Sequence, residues 1–146
     1  MSRTRNYLHI VFATKFRGRV IPMDRRERLY KYITETVKNK KSEMIIINGV
    51  HDHIHMLINL HPSVALADMV KGVKTSSSKM ISGTNLFPLF EGWASEYYAC
   101  SVSPSHVDGV KEYINNQERH HDEKEFVKEL EDFVRKMGME LYKDEV

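Results

Sequence analysis

The chain has 146 residues, 41% of them hydrophobic, and its 22 Lys and Arg against 20 Asp and Glu leave a formal net charge of only +2. That length suits one domain with one core, and so near a balance of charge does not by itself mark a nucleic-acid binder. Cys100 is the only cysteine, which excludes an intramolecular disulfide; with no secretory signal and no apolar run long enough for a bilayer, the expected compartment is the cytoplasm. The charge is unevenly spread, however: residues 1–117 hold 16 Lys and Arg against 10 Asp and Glu, and residues 118–146 hold 6 against 10. A basic body with an acidic tail is consistent with phosphate contacts on the body, although an ordinary mixed-charge surface accounts for it as well.

Residues 6–14 read as a strand with little polarity on either face, hence a central one, and Arg17-Gly18-Arg19 marks the turn after it. Asp24 is expected to cap a helix over about 25–40, where Leu29, Ile33 and Val37 recur four apart. Glu43 to Gly49 is a β-branched strand, separated by only a short turn from the run Val50 to Leu60, so the two should pair as an antiparallel hairpin. Within that second run His53 and His55 leave the strand on one face, while Ile54, Met56, Ile58 and Leu60 leave it on the other. A strand holds two imidazoles at a fixed separation, and histidine is a common metal ligand. Taken alone, the pair reads more readily as histidines solvated on the open side of a half-buried sheet.

Ser63 is expected to cap the next helix, with Leu66, Val70, Val73, Ser77 and Met80 on its buried face and Lys71, Lys74 and Ser78 on another. A loop from Ser82 to Gly92 and a strand over 95–103 follow. A helix over 104–119 then opens with Ser103 or Ser105 as its cap and Pro104 in its first turn. Val107, Val110 and Ile114 form its apolar stripe, and Tyr113 and Gln117, four apart, share a face. A last helix from 123 to about 137 uses Phe126, Leu130, Val134 and Met137. The order βαββαβ is the ferredoxin-like α+β arrangement, an antiparallel sheet with two helices on one face and the other face open. Ile54, Met56 and Ile58 would then meet the helices and leave His53 and His55 on the open face. One domain over 1–146 is expected, made of a core (5–103), the tyrosine helix (104–120) and a C-terminal helix and tail (121–146).

These residues together resemble the single-tyrosine HUH transposases, a family that includes the REP-associated tyrosine transposases. His53-Ile54-His55 matches the two histidines around a hydrophobic residue that name the family. Asn6 to Arg17 looks like its first strand and basic turn, Glu96 to Ser103 like its last sheet strand, and Val110 to Gln117 like its tyrosine helix. The resemblance implies a transposase that cleaves and rejoins single-stranded DNA at hairpin-bearing element ends. Tyr113 would be the nucleophile and His53, His55 and Gln117 the ligands of a divalent metal. It also implies a homodimer in which the tyrosine helix docks on the partner's active site, although nothing in this sequence distinguishes docking in cis from docking in trans.

Two imidazole nitrogens and one amide oxygen suit Mg²⁺ or Mn²⁺, the nitrogen share favouring Mn²⁺, with zinc left open by three donors. Arg17, Arg19, Lys71, Lys74 and Lys79 are the candidates for phosphate contacts. His51 shares parity with the pair, but His51-Asp52-His53 places a charge where an apolar residue is required. Tyr97 and Tyr98 are rival nucleophiles set in a strand without a donor at helical spacing, and His9 could face the same open surface as the histidine pair but reads as structural or as a DNA contact more readily than as a ligand. His120-His121 is no metal tract, because consecutive residues point apart on a helix. Three other functions share these residues: a domesticated relative processing chromosomal repeats, a non-catalytic single-stranded nucleic-acid module, and a metal-dependent hydrolase in which Tyr113 is incidental.

Overall fold

The computed structural model describes residues 2–116 and, beyond them, Lys128 and Asp132. Strands β1 (Tyr7–Ala13), β2 (Glu43–Gly49), β3 (His53–Asn59) and β4 (Tyr98–Val102) form one antiparallel sheet in the order β2-β3-β1-β4. β1, with hardly a polar residue at either parity, lies between β3 and β4 and is buried over most of its length. Helices α1 (Arg26–Asn39) and α2 (Leu66–Ser82) provide the two crossovers, so the arrangement is the ferredoxin-like one that the element order implies.

Strand and helix periodicities converge on one core. Leu8, Ile10 and Phe12 of β1 and Ile54, Met56 and Ile58 of β3 pack with Leu29, Ile33 and Val37 of α1 and Met69, Val70 and Val73 of α2. The stripe of α2 is rotated from the expected one: Met69 and Ile81 are buried, and Met80 is only partly so. Between Met44 and Ile46 the β2–β3 register shifts, so the β-branched run serves both sides. Met44 and Ile47 pack into the α1/α2 core, whereas Ile45 and Ile46 join the opposite side.

The hairpin before the histidine strand needs glycine. A Cβ at Gly49 would collide with the carbonyl oxygen of His53, so a side chain there would push β3 off its partner.

The expected helix caps are not used. α1 and α2 begin at Arg26 and Leu66 with no side-chain cap; Ser63 instead bonds His61, its Oγ lying 2.7 Å from Nδ1. The helix expected over 104–119 is divided. Pro104–His106 forms a 3-10 turn, with Ser103 Oγ 2.6 Å from His106 Nδ1 in place of a cap, and α3 runs over Val107–Asn115. Gln117, His120, His121 and the last expected helix lie outside the described residues apart from Lys128 and Asp132, both helical.

The largest departure from expectation is the second face of the sheet, which is not open. α3 lies across it, with Val110 and Ile114 buried against Leu57 and Val102 and with Tyr7, Ile45, Ile46, Val107 and Tyr113 packed around them. The stripe that has to be buried finds its cover in the same chain. Asn48 of β2 fastens α3 to the sheet, its amide donating to the carbonyls of Ile114 at 3.0 Å and Asn115 at 3.2 Å, in the last turn of the helix.

Candidate functional site

Register decides which polar side chains meet beneath α3. His9 is opposite Leu57, Val11 opposite His55 and Ala13 opposite His53, so the histidines of β1 and β3 emerge on the same face. All three are buried, at 0% exposure for His9 and 1% for His53 and His55. The expectation that His53 and His55 lie open to an approaching substrate is therefore corrected: both are buried, and the Tyr113 ring of α3 stands edge-on to His55.

Each imidazole is held from the side. Asp52 Oδ1 lies 2.7 Å from His53 Nδ1, and Arg17 Nη2 stands 3.8 Å from the other oxygen of the same carboxylate. His9 Nε2 lies 2.9 Å from His55 Nδ1, and those two rings stack at 5.1 Å. The His53 and His55 rings are also 5.1 Å apart, nearly edge to face. Both members of the pair thus have Nδ1 engaged, which orients the rings and leaves Nε2 as the nitrogen for a ligand bond, the arrangement in which outer partners position metal-binding imidazoles. Burial pushes the pKa of His9 down to about 3. That of His55 is also pushed well below the ordinary value, first by burial and then by the charges that His53 and His9 would carry. A lowered pKa keeps on His55 the lone pair that a metal needs, and with the oriented His53 ring beside it the pair fits a divalent cation. Among the described residues no three His, Cys, Asp or Glu side chains group as a cage, so a third donor would have to be of another kind or come from beyond residue 116.

Tyr113 is the other component. Its ring centroid is 5.8 Å from that of His55 and 6.2 Å from that of His9, edge-on to both. The remaining expected site residues divide by position. Arg17 and Arg19 follow β1 at the end where Ala13 pairs with His53, and Thr14 at the root of that turn donates its backbone N–H to the Asp52 carbonyl at 2.9 Å. Lys71, Lys74 and Lys79 belong to α2, on the layer across the sheet from the histidines. Lys74 is engaged there: its ammonium donates to the carbonyls of Ala94 at 2.8 Å and Glu96 at 3.0 Å, and burial lowers its pKa against the opposing pull of Glu96. His51 faces the Ile21 carbonyl at 3.2 Å, and Tyr97 lies outside β4 with Lys74 Nζ 5.7 Å from its ring.

Asp52 is a member of the site that the sequence did not assign to it, and His9, expected on the same face, was not read as the partner of His55. Asp52 looked like an intruding charge, yet a carboxylate just before the first histidine is the signal for an orienting partner. His9 becomes legible once β1 is set antiparallel to β3.

A β2-β3-β1-β4 sheet with two crossover helices and buried histidines on its far face defines the chain as a ferredoxin-like α+β protein with a polar site beneath an added helix. It belongs to the IS200-like transposase family, the single-tyrosine HUH transposases: the family's sequence model, described as "Transposase IS200 like", matches residues 2–117. The chain is similar to the ISDra2 transposase TnpA of Deinococcus radiodurans, 24% identical over 127 residues that cover 80% of this chain and 91% of that protein. It is also similar to the transposase for insertion sequence element IS200 of Salmonella typhimurium, 26% identical over 114 residues covering 75% and 74%. Two solved structures share its fold. One, a candidate transposase from Deinococcus radiodurans, superposes with a TM-score of 0.61 at 24% identity over 80% of this chain and 98% of that one. The other, a REP-associated tyrosine transposase bound to a REP hairpin, gives 0.57 at 12% identity over 80% and 72%. No helix among the described residues is long and apolar enough to cross a membrane.

Proposed function

We propose that the protein cleaves and rejoins single-stranded DNA at hairpin-bearing ends through a 5′-phosphotyrosine link at Tyr113, with His53, His55 and Gln117 holding Mg²⁺ or Mn²⁺. The observation that carries this is the Tyr113 ring 5.8 Å from His55, on a buried face where Asp52 and His9 orient the His53 and His55 rings. When bound, the cation would supply Lewis-acid polarisation of the scissile phosphate. Nε2 of His53 and of His55 would hold it, and Gln117, four positions beyond Tyr113 in the sequence, is the proposed third donor.

The covalent step belongs to Tyr113. Its phenolic oxygen attacks phosphorus, the new Tyr–O–P bond forms, and the bond to the 3′ oxygen breaks; the phenol gives up its proton and the departing oxygen gains one. A phenol titrates near pH 10, so the oxyanion needs stabilisation at neutral pH. Because the bond energy is kept in the phosphotyrosine, a 3′ hydroxyl can later reverse the step and join strands. Asp52 keeps the His53 ring in place through Nδ1, and His9 does the same for His55. All three imidazoles are shielded from bulk water, so the cover over them, to which Tyr113 of α3 contributes, has to open for a strand to reach them.

The homodimer with shared sites is part of the same proposal. In the single chain α3 covers its own sheet, and Ser103–His106 is a short connection ahead of it. Exchange of α3 between two copies would reproduce the same contacts between subunits, which is a low-cost route to a dimer. Mixing a Tyr113→Phe chain with a His53→Ala/His55→Ala chain is expected to restore cleavage; no recovery from heterodimers verified by native mass spectrometry would mean that α3 serves its own subunit. The similarity to insertion-sequence transposases supports a mobile-element role, and the fold shared with a hairpin-bound REP-associated relative supports a domesticated one. Subterminal hairpins flanking the gene would favour the first.

The chemistry is tested by incubating the protein with single-stranded DNA carrying such a hairpin and Mn²⁺. An adduct that survives denaturation and maps to Tyr113 by peptide mass is expected, with little reaction on duplex DNA of the same sequence. Mapping to Tyr97 or Tyr98, or cleavage that persists in Tyr113→Phe, would overturn the assignment.

A further inference from the structure

Directly after β1 the chain places two side chains in the left-handed backbone region, Phe16 at φ 59° and ψ 13° and Arg17 at φ 54°. Glycine or asparagine adopts that region readily; a bulky aromatic does not. Burial of the ring would be the usual compensation, yet Phe16 is 82% exposed, more than any other large hydrophobic side chain among the described residues. The turn is nevertheless firmly fixed. Thr14 Oγ1 donates to the Gly18 carbonyl at 2.7 Å, the Arg17 N–H donates to the Thr14 carbonyl at 2.9 Å, and the Lys15 N–H donates to the Gly92 carbonyl at 2.8 Å. Strain imposed by surrounding structure and not relieved by packing is characteristic of ligand-contacting segments.

The surroundings of the ring point to one kind of ligand. Lys15 Nζ stands 5.4 Å from its centroid, and Arg17 and Arg19 follow within three residues, so the aromatic is set among cations. The turn is also tied to the histidine site, because Thr14 bonds the Asp52 backbone while Arg17 reaches the Asp52 carboxylate that orients His53. An exposed flat apolar surface with a lysine ammonium beside it and two arginines within three residues in sequence matches a nucleotide, which presents a π face and a phosphate on one unit.

We propose that Phe16 is a stacking platform for one unpaired base of the strand entering the histidine and tyrosine site, with Lys15 and Arg19 taking the phosphates beside that base. This rests on the single-strand reading given above and adds a base-contacting residue to it. Stacking tolerates every base, so Phe16 contributes affinity and placement of the strand, not sequence choice.

The test measures binding of the full chain, in EDTA to hold off cleavage, to a 20-nucleotide oligo-dT and to an abasic strand of the same length. Phe16→Ala is expected to weaken oligo-dT binding by about five- to hundredfold, the range that aromatic stacking of a base supports, and to leave the abasic strand nearly unchanged. Phe16→Tyr is expected to bind as the parent does. Phe16→Trp should be quenched by oligo-dT beyond any change in Trp93, the only native tryptophan. Unchanged oligo-dT binding by Phe16→Ala, or equal losses on both strands, overturns the platform. A loss accompanied by a change of oligomeric state in sedimentation also overturns it, making the ring a contact between subunits. Failure of the parent chain to bind oligo-dT at low salt would instead sink the single-strand reading beneath it.

Discussion

On the α1/α2 side of the sheet β1 and β3 present Ile10, Phe12, Ile54, Met56 and Ile58; on the α3 side the same two strands present His9, His53, His55 and Leu57. Both sides are buried. The first excludes water from apolar carbon and holds the fold together. The second excludes water from imidazoles, which costs stability unless each ring has a polar partner, and Asp52 and the His9–His55 contact supply such partners. A buried face that carries polar groups where apolar ones would pack as well is the face on which the proposed chemistry depends.

Neighbouring residues of β3 should therefore fail in opposite ways. Ile54→Ala, on the apolar side, is expected to cost about 2 to 5 kcal/mol of stability, while the fraction that remains folded still cleaves. His53→Ala should remove cleavage almost completely and leave the melting temperature within a few degrees of the parent. Parallel denaturation and single-turnover assays on the two variants check this. Loss of folding in both, with no activity loss specific to His53→Ala, would make the two faces equivalent.

The faces should also separate by pH. His9 and His55 have folded pKa values depressed below about 6.5, that of His9 to about 3. The unfolded chain thus binds more protons between those limits, and stability falls as pH drops through that window. The slope for the metal-free chain is expected to approach about 1.4 kcal/mol per pH unit for each histidine involved. Urea denaturation from pH 7 to pH 4 measures it, and His9→Met should flatten the curve. An unchanged slope in His9→Met would show that His9 is not the titrating group.

Asn48→Ala gives the smallest effect. It removes the amide that closes the end of α3, and a loss of about 1 to 2 kcal/mol is expected. Faster hydrogen exchange should be confined to α3, with β1 and β3 as protected as before. Exchange that quickened equally on α1 would mean the helix is not a separately opening unit.

The apolar side was the more legible in sequence because its rules are local. Period 2 in β3, the spacing of Leu29, Ile33 and Val37, and the β-branched run of β2 each give a strand or helix without reference to the rest of the chain. The α3 side depends on contacts between distant segments. His53, His55 and Tyr113 stand out by type and spacing, but their burial under α3 follows from docking, which spacing does not encode. The His9–His55 contact spans 46 positions, and the orienting role of Asp52 depends on a turn fixed by Gly49. The expected caps at Asp24 and Ser63 are not used either: the chain enters both helices without a side-chain cap hydrogen bond, and Ser63 pairs with His61 instead.

Whether the histidine side is a metal site is read most directly by soaking crystals of the full chain in Mn²⁺ and collecting anomalous data. One peak is expected within about 2.0 to 2.4 Å of Nε2 of both His53 and His55, with Nδ1 still facing Asp52 and His9. Manganese bound only at surface carboxylates, with the imidazole nitrogens unliganded beneath α3, would contradict the account.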